Sequence, residues 1–135
     1  MKPDKEGFLY PEIDESKCVE CSACLKVCPI KQFRKGENDF TAFAAKSNNK
    51  EIRNESTSGG IFTHLAKAVI SNGGVVVGAA FDEEFNVKHI VIENDKDIKK
   101  ISGSKYVQSS TQGIYKKIKE LLNTGKTVMF SGTPC

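Results

Sequence analysis

The sequence has no tryptophan and no basic run, and its formal charge over 135 residues is only +3. Nucleic-acid binding, which asks for a concentrated positive face, is therefore not expected. No window approaches the roughly eighteen apolar residues that a membrane span needs, so no span is expected either. The opening Met1-Lys2-Pro3-Asp4-Lys5-Glu6 carries no apolar signal segment, which argues against a secreted, disulfide-linked chain. Internal repeats are absent. So is a phosphate-binding P-loop: Gly125-Lys126-Thr127 invites that reading, but Glu120 stands where the first glycine is required, and the order is helix to strand. With 39% hydrophobic and 27% charged residues, what remains is an ordinary soluble chain of about one domain with a small segment ahead of it.

What is present is cysteine, and in one place. Four of the five cysteines fall within the stretch Cys18-x-x-Cys21-x-x-Cys24-x-x-x-Cys28-Pro29, the bacterial ferredoxin spacing for thiolates that hold a 4Fe-4S cluster. A compact loop in which every third residue turns inward places three sulfurs on three corners of one cluster. The fourth cysteine of such a run ligates a second cluster in two-cluster ferredoxins. Pro29 is expected to stiffen the exit of the loop. Structural zinc uses paired C-x-x-C knuckles with a longer spacer, a pattern not found here, yet a zinc-organised interaction module is kept as an alternative. Thiolates kept for iron imply a reducing compartment, the cytoplasm.

Two parts are expected: a ferredoxin-type segment over residues 1–38, and an α/β (α+β) domain with a mixed, partly parallel sheet over residues 39–135. In the first, Gly7 to Pro11 reads as a short strand. In the second, Phe40 to Lys46 reads as a strand and Ser47 to Ser58 as a polar loop. Ser58-Gly59-Gly60 opens a helix to about Ser71 with Ile61, Leu65, Ala66, Val69 and Ile70 on its apolar face. Val75 to Phe81 is a strand apolar enough to be buried on both faces, and Val87 to Glu93 pairs with it as a hairpin. Asp95 to Ile101 reads as a short helix, and Ser102 to Val107 as a loop entering a short strand. A helix from about Thr111 to Asn123 buries Ile114, Ile118, Leu121 and Leu122, and Thr127 to Phe130 is a further strand.

Three loops are candidate cofactor contacts. Ser58, Gly59 and Gly60 are either a simple helix start or an anion-holding helix N-terminus. Gly132 and Thr133 lie in a loop at a strand's carboxyl end, where α/β sheets bind ligands. Ser104 and Lys105 bring a cation suited to a phosphate or a reduced ring. His64 reads as a surface histidine, and no role is assigned to His89. Cys135 is either an inert small side chain or a thiolate completing a cluster.

Taken in order, the cysteine loop, Ser58-Gly59-Gly60-Ile61-Phe62, Gly73 to Phe81, Gly103-Ser104-Lys105-Tyr106-Val107-Gln108-Ser109 and Ser131-Gly132-Thr133-Pro134-Cys135 resemble the coenzyme F420 hydrogenase/dehydrogenase beta-subunit family. The resemblance implies an iron–sulfur flavoprotein oxidoreductase that passes electrons between a 4Fe-4S cluster, FAD and a deazaflavin such as coenzyme F420 or another small-molecule acceptor, with a redox partner protein or subunit. It casts Ser58, Gly59, Gly60, Ser104, Lys105, Tyr106, Gly132 and Thr133 as the flavin site and Cys18, Cys21, Cys24, Cys28 and Cys135 as cluster ligands. Family members commonly carry a first ferredoxin motif ahead of the lead segment and a further catalytic part beyond Cys135. Truncation at both ends is therefore expected, and with it a fragment lacking full activity. A non-catalytic ferredoxin-like electron carrier is the second alternative.

Overall fold

A computed structural model describes residues 1–28, 30–31 and 41–133. It divides into two units, one within residues 1–41 and one over Ala42–Thr133.

The first unit is nearly all surface. Strand β1 (Lys2–Pro3) pairs antiparallel with β2 (Leu9–Tyr10), so the strand expected from Gly7 shrinks to its last apolar residues. The turn between them is closed by Asp4, whose carboxylate accepts from the amides of Glu6 and Phe8, both at 2.9 Å. Helix α1 (Ala23–Lys26) is a single turn inside the cysteine loop. Among the described residues of this unit no side chain is buried. The expected stiffening role of Pro29 falls outside the described residues.

The second unit is built on β3 (Val75–Phe81), β4 (Val87–Ile92) and β5 (Val128–Phe130), in the order β4-β3-β5 among the described residues. Strand β3 pairs antiparallel with β4 and parallel with β5, the mixed, partly parallel sheet that was expected. Because alternate side chains point to opposite faces, the register separates two layers. Val76, Gly78 and Ala80, with Ile92 and Met129 opposite Val76, face α3 (Ile61–Ser71) and α4 (Ile98–Ile101). Gly78 leaves room there for Ile101, whose Cβ would lie 3.0 Å from any added methyl. On the opposite face stand Val75, Val77 and Ala79, with Phe130 and His89 beside them. Helix α5 (Ile114–Asn123) covers that side, Tyr115 stacking on Phe130 at 5.9 Å. Val75, Val76 and Val77 are fully buried, each worth roughly 1.5–3 kcal/mol over an exposed side chain.

Several local expectations are corrected. Residues 41–46 form no strand; they are exposed and unpaired in any sheet, with Phe43 in solvent. Within the polar loop a short helix forms instead, α2 (Lys50–Asn54), because the Asn49 carboxamide accepts from the amide of Ile52 at 3.0 Å and caps its start. In α3 Ala66, Val69 and Ile70 meet the core as expected and Phe62 joins them, while Ile61 and Leu65 are exposed. Leu122 of α5 is likewise exposed. The segment Asp95–Ile101 is a 3₁₀ turn (Asp95–Asp97) running into α4. Instead of the short strand expected after Ser102, Ser110 bridges in parallel to Lys88.

Candidate functional site

The cysteine loop is shaped by local hydrogen bonds. Asp14 starts it, its carboxylate taking the Ser16 hydroxyl at 2.6 Å and the Ser16 amide at 3.1 Å. The Ser16 hydroxyl and then the Lys17 side chain hold the Asp14 carboxyl below its ordinary value. Glu20 (φ 51°) and Ser22 (φ 56°) then adopt left-handed backbone, a conformation costing a non-glycine residue roughly 1–2 kcal/mol. Strain of this kind collects where a loop must aim particular atoms. The amides of Leu25 and Lys26 both donate to the Ser22 carbonyl at 3.1 Å, which folds α1 directly after the second left-handed residue.

Cys18, Cys21 and Cys24 are exposed, Cys28 is half-buried, and all four are free thiols. Among the described residues no three Cys, His, Asp or Glu side chains come close enough to hold a single metal ion. The donor set nonetheless fits an iron–sulfur cluster in its chemistry: four soft thiols, free and accessible, on a segment with no core of its own to oppose rearrangement around a cofactor. Cys135 lies outside the described residues.

In the second unit the three candidate loops are held by separate devices. Gly59 sits under the carbonyl of Ala45, so close that a Cβ would collide with that backbone oxygen. Its own carbonyl accepts from the Ser47 amide at 2.6 Å. Gly60, at φ 80°, precedes α3 and supplies no side-chain cap to the first turn. Ser58 is exposed, its carbonyl accepting from the Arg53 guanidinium at 2.6 Å. Ser47, only 7% exposed, is the knot of this loop. Its hydroxyl accepts from the Asn49 amide at 3.1 Å and lies 2.7 Å from Nε2 of His64. His64 is thus at the surface, as expected, but its ring is engaged.

Lys105 is turned inward. Its ammonium donates to the carbonyls of Ser102 (2.7 Å), Gly103 (3.2 Å) and Lys100 (3.3 Å), closing the carboxyl end of α4. Partial burial draws its pKa down from 10.5. Ser104 is exposed, and Tyr106 stands 95% exposed beside it. This segment lies near the Ser58–Gly60 loop: Lys99 pairs with Glu55 at 2.7 Å, and a Cβ at Gly103 would stand 3.9 Å from the Thr57 methyl. Gly132 and Thr133 are exposed at the end of β5. At Gly132 a Cβ would lie 2.7 Å from the Phe130 ring, so glycine is required there for packing.

Sequence reasoning missed Ser47 and the surroundings of His89. His89 lies in β4 opposite Ala79. Its Nδ1 is 2.8 Å from the Ser109 hydroxyl and its Nε2 is 3.1 Å from the Ser131 carbonyl. Its ring stacks on Phe130, the centroids 5.1 Å apart and the planes 5° from parallel. Those partners are 20 and 42 residues away, so no local spacing could have revealed them.

A thiol loop of ferredoxin spacing, followed by a layered α/β unit with a mixed sheet, defines an iron–sulfur protein with an appended α/β body. The model of a 4Fe-4S binding domain matches residues 9–30, and that of the coenzyme F420 hydrogenase/dehydrogenase beta subunit, N-terminal, matches residues 42–116. The second match covers more than half of the 135 residues, and the chain belongs to the coenzyme F420 hydrogenase/dehydrogenase beta-subunit family. No curated protein matches the chain. Among the described residues no helix is long and apolar enough to cross a membrane.

Proposed function

We propose that this chain is an electron-transfer component of an oxidoreductase, in which residues 1–38 carry a 4Fe-4S cluster and residues 39–135 form the N-terminal part of a flavin-binding catalytic domain. The observation that carries it is the Cys18-Cys21-Cys24-Cys28 spacing on a free, exposed loop, in a chain of this family. Cys18, Cys21 and Cys24 would supply three thiolates, and Cys28 or Cys135 the fourth. When bound, the cluster supplies one-electron transfer and FAD the conversion between single electrons and pairs.

The residues of the α/β unit divide the binding work. Gly60 leaves the first-turn amides of α3 without a side-chain cap, so those N–H groups and the helix dipole suit a cofactor phosphate. Gly132 and Thr133 offer backbone at the carboxyl end of β5, and Tyr106 a free aromatic face for a planar ring. Ser58, Gly59 and Ser104 complete the set. Lys105 organises the second loop through three carbonyls; to reach an anion it must exchange at least one of them. The acceptor is a deazaflavin such as coenzyme F420 or another small molecule, electrons arrive through a partner protein or subunit, and thiolates kept for iron favour a reducing cytoplasm as the compartment.

Anaerobic reconstitution with iron and sulfide, followed by addition of FAD, tests the reading. Brown protein with iron and sulfide in similar amounts, and FAD retained through gel filtration, is the expected result. Zinc without iron or sulfide would sink the cluster assignment and favour the interaction module. A loaded cluster with no retained FAD would leave a plain ferredoxin-like carrier.

A further inference from the structure

We infer that His89 is a positioning residue that fixes the spacing between two walls of the proposed flavin site, the segment Ser104–Ser109 and the loop Ser131–Thr133; this rests on the flavin reading. A carbonyl oxygen can only accept, so the contact from the His89 ring to the Ser131 carbonyl at 3.1 Å requires a proton on Nε2. In the neutral ring Nδ1 is then bare, and the Ser109 hydroxyl 2.8 Å away donates to it. One tautomer therefore satisfies both nitrogens and ties both segments to one ring.

The sheet is cut to admit this ring. Strand β5 stops at Phe130, opposite Val77, two residues short of Ala79, which stands opposite His89. Over that small residue the imidazole spans from β4 to the carbonyl of Ser131, whose amide is held by the Val77 carbonyl at 2.9 Å. On the outer edge of β4 the His89 amide donates to the Ser110 carbonyl at 2.9 Å, and the Ser110 amide to the Val87 carbonyl at 2.8 Å. Both loops are thus joined to the same strand, one by backbone and side chain, the other through the imidazole. Stacking on Phe130, itself stacked on Tyr115, keeps the ring in plane.

His89→Phe keeps the stack and removes both ring hydrogen bonds; His89→Gln keeps an amide donor aimed at the Ser131 carbonyl. With FAD titrated into the full reconstituted chain and its dissociation constant read from flavin fluorescence, His89→Phe should bind about tenfold more weakly, and His89→Gln within about threefold of the unaltered chain. Equal binding by His89→Phe, or equal losses in both variants, would overturn the assignment. The ¹⁵N spectrum of the unaltered imidazole gives a second reading that needs neither variant to fold nor flavin to bind. Protonated Nε2 with bare Nδ1 is expected, and the reverse tautomer, or averaging of the two, would overturn it. Failure of the unaltered chain to take FAD would remove the flavin reading, while this spectrum would still decide whether His89 locks Ser131 and Ser109.

Discussion

The two units of this chain solve the problem of holding a shape in opposite ways. The α/β unit encloses three fully buried valines between α3 and α4 on one side and α5 on the other. The cysteine-bearing unit has no buried side chain among its described residues and rests on turns, such as those closed by Asp4 and Asp14, and on one helical turn. Burial of apolar surface can sustain the first without help. Turns worth about 1 kcal/mol per hydrogen bond contribute little beside such burial, and a cluster held by the thiols, as proposed, would add order of its own. The lesson is that a short cysteine spacing can specify a ligand without specifying a core.

Four changes would break or sharpen this contrast. Cys21→Ser should abolish the brown colour after anaerobic reconstitution while moving the thermal midpoint of the α/β unit by no more than about 4 °C, as for an exposed substitution; a collapse of that midpoint would show that the units are not separable. Ile98→Ala, at a buried position under β3, should do the reverse. A loss of about 2–5 kcal/mol in urea unfolding is expected, with iron content per folded chain unchanged. Gly59→Ala drives a methyl into the Ala45 carbonyl and should cost about 1–3 kcal/mol, read as a lower urea midpoint.

The smallest effect is set by pH. Burial raises the Asp82 carboxyl, but the amides of Asn86 and Glu84 and the charge of Lys88 outweigh it, so its folded pKa lies below 3.8. For a depressed carboxyl the contribution to stability is present above 3.8 and lost as pH falls through the folded value. Hydrogen exchange at the Glu84 and Asn86 amides should therefore speed up in acid beyond the intrinsic trend, and in Asp82→Asn that dependence should vanish. The Asp14 carboxyl is depressed as well, so the Ser16 amide should follow the same course without either unit melting.

Much of the α/β unit was legible because its signals are periodic. β3 was bounded by Gly73-Gly74 and by acidic turn residues, and α5 by Ile114, Ile118 and Leu121 at helical spacing. The face of α3 was right at Ala66, Val69 and Ile70 but included Ile61 and Leu65 in place of Phe62, because all three are apolar. Only packing against β3 and α4 chooses between two overlapping stripes. α2 escaped because four of its five residues are polar, Ile52 being the exception, and a capping Asn49 makes it. The cysteine motif was readable since its thiols are neighbours in sequence. By contrast, Ser47 reaches its knot, and His89 its two serines, through contacts spanning 12 to 42 residues, a distance at which spacing carries no information.

The missing tryptophan has a practical sequel. Only three tyrosines, Tyr10, Tyr106 and Tyr115, emit in this protein, with no indole to mask them. Tyr115 lies in the ring stack that includes His89, and Tyr106 stands in water on the second loop. The molecule thus carries native optical probes at both places, and single tyrosine-to-phenylalanine replacements would tell their glow apart as a coloured guest settles in.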